Sequence, residues 1–118
     1  MRRDSLGALE HILDAVQNVA HDTAGMTFEE FERDRRARQL VERNFEIIGE
    51  AVNRVRTHEP SVASRISSHN QIVAFRNALI HGYDRIDYHK VWQTVQESLP
   101  ILRAEVEQLL REAGETPG

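Results

Sequence analysis

The feature that most constrains this chain is a recurrence of apolar residues at three- and four-residue steps along almost its whole length. No stretch alternates polar and apolar residues for long, and proline occurs only three times. An amphipathic helix buries a stripe with a period of 3.6 residues, whereas a half-buried strand alternates. The pattern is clearest at Leu6, Leu9, Ile12, Leu13, Val16 and Val19. The sequence therefore predicts an all-α protein.

Four helical segments account for nearly the whole chain. They cover about residues 5–20, 27 or 34 to 56, 67–80 and 88–112. The second segment has its own apolar stripe, and its opposite face, dense in Arg and Glu, is expected to be solvated. That stripe consists of Ala37, Val41, Phe45, Ile48, Ala51, Val52 and Val55. We predict a single domain over residues 1–118, folded as an antiparallel bundle of four to five helices with short loops.

Capping residues mark where the segments begin. Ser5 and Asp87 are placed to cap the first and last segments. Thr27 and Glu30 have the spacing of a capping box, in which each side chain bonds the backbone N–H of the other residue.

Proline and glycine indicate where the segments are interrupted. Gly82 is placed as the C′ residue of the third segment. Pro100 interrupts the last segment, and Ser98 could cap a fresh helix there. Residues 57–64, which include Pro60, are predicted to be a connection.

Composition excludes several kinds of protein. The chain has no cysteine, so disulfides, thiolate zinc sites and cysteine nucleophiles are ruled out. It has neither an 18-residue apolar run nor the apolar core of a signal peptide, so we expect no membrane segment and a cytoplasmic location. The six histidines show no metal-binding spacing, and there is no glycine-rich phosphate loop. We therefore predict neither a metal site nor a cofactor.

The charged residues have an unusual balance. The net charge is −4, which argues mildly against binding nucleic acid by bulk electrostatics. Of the 15 basic residues, 14 are arginine and only Lys90 is lysine. Arginine suits bidentate contacts with phosphate, but a GC-rich genome produces the same bias. At this point both explanations stay open.

One arginine occupies a position where surface charge is not expected. At 100° per residue, Phe75 and Leu79 lie on one side of Arg76 and Ile80 on the other. Arg76 therefore projects from the middle of an apolar arc, and burying an unpaired guanidinium costs several kcal/mol. It needs a partner, a ligand or a cleft. The structural alternative is an ion pair, or a side chain that reaches the rim of the core.

Three neighbours of Arg76 could share its chemistry. His81 is five residues further on, and Gly82 allows the chain to leave the helix so that the imidazole can turn towards Arg76. A histidine that transfers protons beside an arginine that stabilises extra charge on phosphorus suits phosphodiester cleavage. Asn77 could orient either group, and Tyr83 adds a hydroxyl at the same turn. The alternatives are an exposed amide for Asn77 and a packing role for Tyr83.

Cleavage of RNA by its own 2′-hydroxyl needs both a base and an acid, and this motif supplies one histidine per chain. We therefore expect two chains to pair so that two Arg76/His81 sets face one cleft.

These residues resemble a known signature. Arg76-Asn77-Ala78-Leu79-Ile80-His81 is similar to the R-x4-6-H motif of HEPN domains, and its extension to Tyr83 resembles the R-x4-H-x-Y motif of the HepT branch. Flanking segments agree, and the similarity covers about residues 5–112. The flanking segments are residues 28–36, the "IGEA"-like residues 46–51, and residues 88–92.

The resemblance implies a HEPN bundle and a type VII-like toxin–antitoxin function. Its members are similar to metal-independent endoribonucleases that act on cellular RNA and form homodimers. Their partner is a minimal nucleotidyltransferase antitoxin. By this resemblance Arg76, His81 and Asn77 are the catalytic residues. Tyr83 is the residue to which the antitoxin transfers AMP, which blocks the cleft by bulk and negative charge.

Two other functions remain open. The chain could be a non-catalytic HEPN module that binds a nucleotide, or a nucleotidyltransferase with which it forms a two-component enzyme. It could also be a structural bundle in which Arg76 is ion-paired.

Overall fold

The computed structural model describes residues 1–81 and 86–115, with only the backbone of Ile80 and His81. This part of the chain contains helices and no strand, so the predicted all-α class is confirmed. None of its helices is both long and apolar enough to cross a membrane. The elements are α1 (Arg3–Asp22), α2 (Phe28–Arg33), α3 (Arg35–His58), α4 (Pro60–Ala63), α5 (His69–His81), α6 (Tyr88–Gln93), a π-helical turn (Thr94–Ser98) and α7 (Leu99–Glu112).

The core lies between α1, α3 and α7. Helix α1 packs along α3 and contacts α7, and α5 packs principally against α3. The apolar stripes predicted for the first two segments are buried here, apart from the half-buried Leu6. Periodicity predicts these contacts well because burying a helix's apolar stripe is its main source of stability in a bundle.

The second predicted segment forms two helices, α2 and α3, because a helix begins at each of its two candidate starts, near residues 27 and 34. Thr27 and Glu30 form the predicted capping box at the start of α2, with N···O distances of 3.0 and 3.2 Å. Asp34 then caps α3 by accepting a hydrogen bond from the Ala37 backbone N–H at 3.0 Å. The chain bends between them, since Asp34 has an extended backbone conformation.

Two predicted caps are wrong. Ser5 is buried inside α1, which begins at Arg3, and the Arg2 backbone N–H donates to the Glu59 carboxylate at 2.6 Å. Ser98 makes no capping bond, and the helical path continues through the π-helical turn. Pro100 has no N–H to donate, and a widened turn accommodates its ring without ending the helix.

Two other local predictions have different outcomes. Asp87 caps α6 as predicted, accepting from the backbone N–H groups of His89 and Lys90. The connection over residues 57–64 contains the short helix α4, with Pro60 in its first turn. Gly82, the predicted C′ residue of α5, lies outside the described residues.

An ion pair joins the segment after α4 to the end of α7. Arg65 donates to both carboxylate oxygens of Glu112, at 2.8 and 2.6 Å. This hydrogen bonding, followed by that from Gln108, lowers the pKa of Glu112 to about 2. A carboxyl whose pKa is lower in the folded chain stabilises the fold above its unfolded pKa, and the effect is lost as the pH falls towards the folded value.

We expect Glu112→Gln to lower the melting temperature at pH 7. The difference from wild type should shrink as the pH falls below about 4.5 and be mostly lost near pH 2, where about half of the Glu112 carboxyls in the folded wild type are protonated. Thermal unfolding followed by circular dichroism across this range checks it. Glu115→Gln is the control, because it removes the same charge from an exposed residue at the same end. A difference as large at pH 2 as at pH 7 would contradict the assignment.

Candidate active site

Arg76 lies where α5 crosses α3, directly above Gly49. A Cβ atom added to Gly49 would lie 2.2 Å from the Arg76 Cβ and 2.6 Å from its Cγ. No side chain larger than hydrogen therefore fits at position 49 without moving α5. Glycine inside a helix costs about 0.5–1 kcal/mol relative to alanine, so its presence here needs a packing reason, and the contact with Arg76 provides one.

The guanidinium of Arg76 is half-buried and incompletely satisfied. Its Nε is buried without a hydrogen-bond partner in the described part of the chain, and its Nη1 donates to Asn77 Oδ1 at 3.0 Å. No acidic side chain within residues 1–81 and 86–115 forms an ion pair with it. The position predicted from the helical wheel is confirmed, and Asn77 is the contact found there.

Asn77 is therefore more than an exposed amide. It is half-buried, and its carbonyl oxygen holds the guanidinium of the preceding residue. Since Asn77 lies about 100° around α5 from Arg76, this contact turns the guanidinium towards one flank of the helix. Phe75 lies on the opposite flank. There it lines a small groove together with Gln71, Thr94 and Ser98.

The remaining motif residues are located less completely. His81 is the last residue of α5, about 7.5 Å along the helix from Arg76 at 1.5 Å per residue. This agrees with the predicted helix end, although its side chain is outside the description. Tyr83 lies outside the described residues, and so does Asp84, an acidic residue three positions after His81. The proposed meeting of His81 with Arg76 stays a prediction.

Sequence analysis missed that α3 has a second packed face. The Arg- and Glu-rich side of α3 was expected to be solvated, but part of it lies under α5. Gly49 is buried there, Asn53 is half-buried, and Arg56 donates to Asn70 of α5 at 3.4 Å. The available signal was Gly49 itself, because an unexplained glycine in a helix interior indicates a close approach.

A polar cluster lies at the start of α6. The Tyr88 hydroxyl donates to Glu42 at 3.2 Å, and the Arg38 guanidinium lies 5.2 Å from the centre of the Tyr88 ring. Burial raises the pKa of Glu42, against the hydrogen bond from Tyr88 and the charge of Arg38. Burial and the Glu42 charge raise the pKa of Tyr88. This cluster ties the start of α6 to α3.

No group of three or more histidine or acidic side chains is arranged to hold a metal ion within the described ranges. The described side chains bring together a constrained arginine and an amide that orients it, and the same helix ends at a histidine. These groups can hold a phosphate and transfer protons.

We expect Gly49→Ala to lower the free energy of unfolding by about 1–3 kcal/mol, because the added methyl group forces α5 away from α3. The matched control is Gly7→Ala in α1, where an added Cβ meets nothing within 4 Å. That change should raise stability by up to about 1 kcal/mol through helix propensity alone. Urea unfolding of both variants measures the difference. Equal effects of the two substitutions would contradict a packing role for Gly49.

Comparisons with known proteins agree with this geometry. The family model described as "Ribonuclease HepT-like" matches residues 9–109. A protein of Thermococcus cleftensis named "Probable ribonuclease HepT" is 32% identical over 114 residues, covering 92% of this chain and 98% of its own. A protein of Methanocaldococcus jannaschii, named as a candidate RNase, is 36% identical over 110 residues, covering 90% and 96%. No solved structure matches the chain significantly. The chain belongs to the HepT-like ribonuclease family, of the HEPN type.

Proposed function

We propose that this protein is the toxin of a type VII-like HEPN toxin–antitoxin pair and that it cleaves cellular RNA without a metal ion. The observation that carries the proposal is Arg76. It is held against Gly49, bonded to Asn77 and free of any carboxylate partner in the described chain, on the helix that ends at His81. A structural role in an ion pair is not supported by these contacts. Membership of a ribonuclease family gives independent support.

The proposed chemistry is attack by the RNA on its own backbone. The 2′-oxygen forms a bond to phosphorus, and the bond from phosphorus to the 5′-oxygen of the next nucleotide breaks. One histidine accepts the proton of the 2′-hydroxyl, and a second protonates the departing 5′-oxygen. Arg76 stabilises the additional negative charge on the phosphate oxygens, and Asn77 fixes the direction of the guanidinium. The products are a 2′,3′-cyclic phosphate and a free 5′-hydroxyl.

A homodimer supplies the second histidine in this scheme. Helix α5 is the element best suited to the dimer contact, because it packs principally against α3 and carries little charge. In a chain with 29% charged residues, His69–His81 contains one arginine and no lysine, aspartate or glutamate. Depletion of charge at a surface is typical of the core of a protein–protein interface. Two copies joined through α5 would bring two motif ends to one cleft.

Neutralisation by a minimal nucleotidyltransferase antitoxin is the second part of the proposal. The Tyr83 oxygen attacks the α-phosphorus of ATP, a bond to AMP forms and pyrophosphate leaves. The attached phosphate adds negative charge next to His81, which repels RNA. Tyr88, the other tyrosine of the chain, is a poorer acceptor because its hydroxyl is half-buried and donates to Glu42.

We expect His81→Ala to reduce RNA cleavage by about 10²–10⁴-fold, the usual contribution of a general acid or base. Purified wild type should cut RNA equally well with and without EDTA, and its expression alone should arrest growth. Expression of His81→Ala should not.

Light scattering provides the control, since both proteins should be dimers. If neither the wild type nor His81→Ala arrested growth or cut RNA, the alternative of a non-catalytic module that binds a nucleotide or a partner would be favoured. A monomer that cleaved RNA would contradict the shared cleft.

The neighbouring nucleotidyltransferase and ATP should add mass to the wild type in units of AMP. Tyr83→Phe should abolish this, because it removes the nucleophilic hydroxyl, and Tyr88→Phe should not. Intact-protein mass spectrometry distinguishes the two variants. Modification that persisted in Tyr83→Phe and disappeared in Tyr88→Phe would move the acceptor to Tyr88.

A further inference from the structure

The face of α3 that lies under α5 continues as a polar stripe past the end of α5. Its members follow one another at steps of three or four residues, so they share one side of the helix. The stripe consists of Arg35, Arg38, Glu42, Glu46, Gly49, Asn53 and Arg56. Gly49, which is covered by Arg76, fixes which side this is.

The antiparallel register of α3 and α5 shows where α5 stops covering the polar stripe of α3. Arg56 lies against Asn70 and Gly49 against Arg76, so moving along α5 towards its end corresponds to moving back along α3. Continued to the last residue of α5, this register reaches about residue 44 of α3. The two arginines at the start of the stripe therefore lie beyond the His81 end of α5.

Tyr88 places the start of α6 beside these arginines. It is the first residue of α6, and it contacts both Glu42 and Arg38. The start of α6 therefore lies next to this part of α3. Arg38 and Arg35 are about 16 and 21 Å along α3 from Gly49, at 1.5 Å per residue. At roughly 3.4 Å per stacked nucleotide, such a distance corresponds to about five or six nucleotides.

Neither Arg35 nor Arg38 forms an ion pair within residues 1–81 and 86–115, although the charge of Arg38 acts on Glu42. Four arginines fall within residues 33–38 with one acidic residue, Asp34, which is occupied as the cap of α3. Arg35 is exposed and forms no ion pair in the part of the chain that the structure describes. Arg38 donates to the backbone carbonyl of Glu32. In an acidic chain, the start of α3 is therefore a short stretch in which arginines outnumber acidic residues.

We propose that Arg35 and Arg38 bind the phosphate backbone of single-stranded RNA and guide it along α3 to the site at Arg76 and His81. The inference rests on the proposed ribonuclease function and specifies how the substrate reaches the site. Arginine suits this role because its planar guanidinium binds phosphate through paired hydrogen bonds. Two acidic residues follow on the stripe. Glu42 accepts a hydrogen bond from the Tyr88 hydroxyl, and Glu46 forms an ion pair with Arg43.

The chain contains a matched control for this proposal. Arg36 is next to Arg35, is equally exposed and carries the same charge, but it lies about 100° around the helix and off the stripe. Neutralising either residue changes the net charge by the same amount. A difference between them therefore reports position and not bulk electrostatics.

The experiment measures RNA binding in the full-length His81→Ala protein, so that the RNA is not consumed. A short labelled single-stranded RNA is titrated at several salt concentrations. Arg35→Gln should weaken binding about threefold or more and reduce the slope of log affinity against log salt by about 0.7, the value for one phosphate of a single strand. Arg35→Gln/Arg38→Gln should do more, and Arg36→Gln should change neither quantity. The charge-reversed pair, Arg35→Glu and Arg36→Glu, should show the same contrast more strongly.

Equal effects of the Arg35 and Arg36 substitutions on RNA binding, or no effect of either, would overturn the proposed RNA-binding path along α3. So would an absence of RNA binding by the His81→Ala protein. These results are separate from failure of the proposed function. If cleavage depended on His81 but the Arg35 and Arg36 variants bound RNA equally, only the RNA-binding path along α3 would be rejected. If Arg35→Gln weakened RNA binding and Arg36→Gln did not, but the wild type cut no RNA, the proposed cleavage would be rejected and the proposed binding surface would stand.

Discussion

The close approach of α5 to α3 at Gly49 is the contact on which the rest of the site depends. Without a side chain at position 49, the Cβ and Cγ of Arg76 can lie directly on the α3 backbone. The guanidinium is then fixed at its base by the crossing of two helices and at its tip by Asn77. An arginine held this way loses little further freedom when it binds a phosphate, which is how a preorganised group stabilises developing charge.

Helix α3 serves the fold with one side and the site with another. Its apolar stripe is buried against α1 and the rest of the core, which secures the bundle. Its polar stripe passes under α5 at Gly49 and emerges near the polar cluster of Arg38, Glu42 and Tyr88. Because one rigid helix carries both stripes, the position of the site is set by the same packing that stabilises the protein. Substitutions of the exposed residues of the polar stripe, such as Arg35, can therefore change this surface while the core stays intact.

The arginine bias has a partial explanation in this arrangement. Some arginines, such as Arg65, form ion pairs with acidic residues far from the motif, and a compositional habit is sufficient to explain them. Arg76 differs because it is packed against another helix. Arg35 and Arg38 differ because they lie on the same side of α3 as that contact. The net charge of −4 is thus compatible with a local surface suited to RNA, since electrostatic attraction depends on where charge is placed.

The sequence by itself determined the helical class, the apolar stripes, the capping box at Thr27, a candidate helix start at Asp34 and the cap at Asp87, because each depends on residues within a few positions of one another. It also determined that Arg76 projects from an apolar arc. Only the tertiary structure decided that α1 begins ahead of Ser5 and that Pro100 lies in a continuous helical path. It also decided that Gly49 is packed against another helix, whereas Gly7 has space for a Cβ atom. Arg2, at the start of α1, donates to Glu59, 57 residues away, and Gly49 contacts Arg76 of another helix. Local periodicity carries no information about which distant residue a helix face will meet.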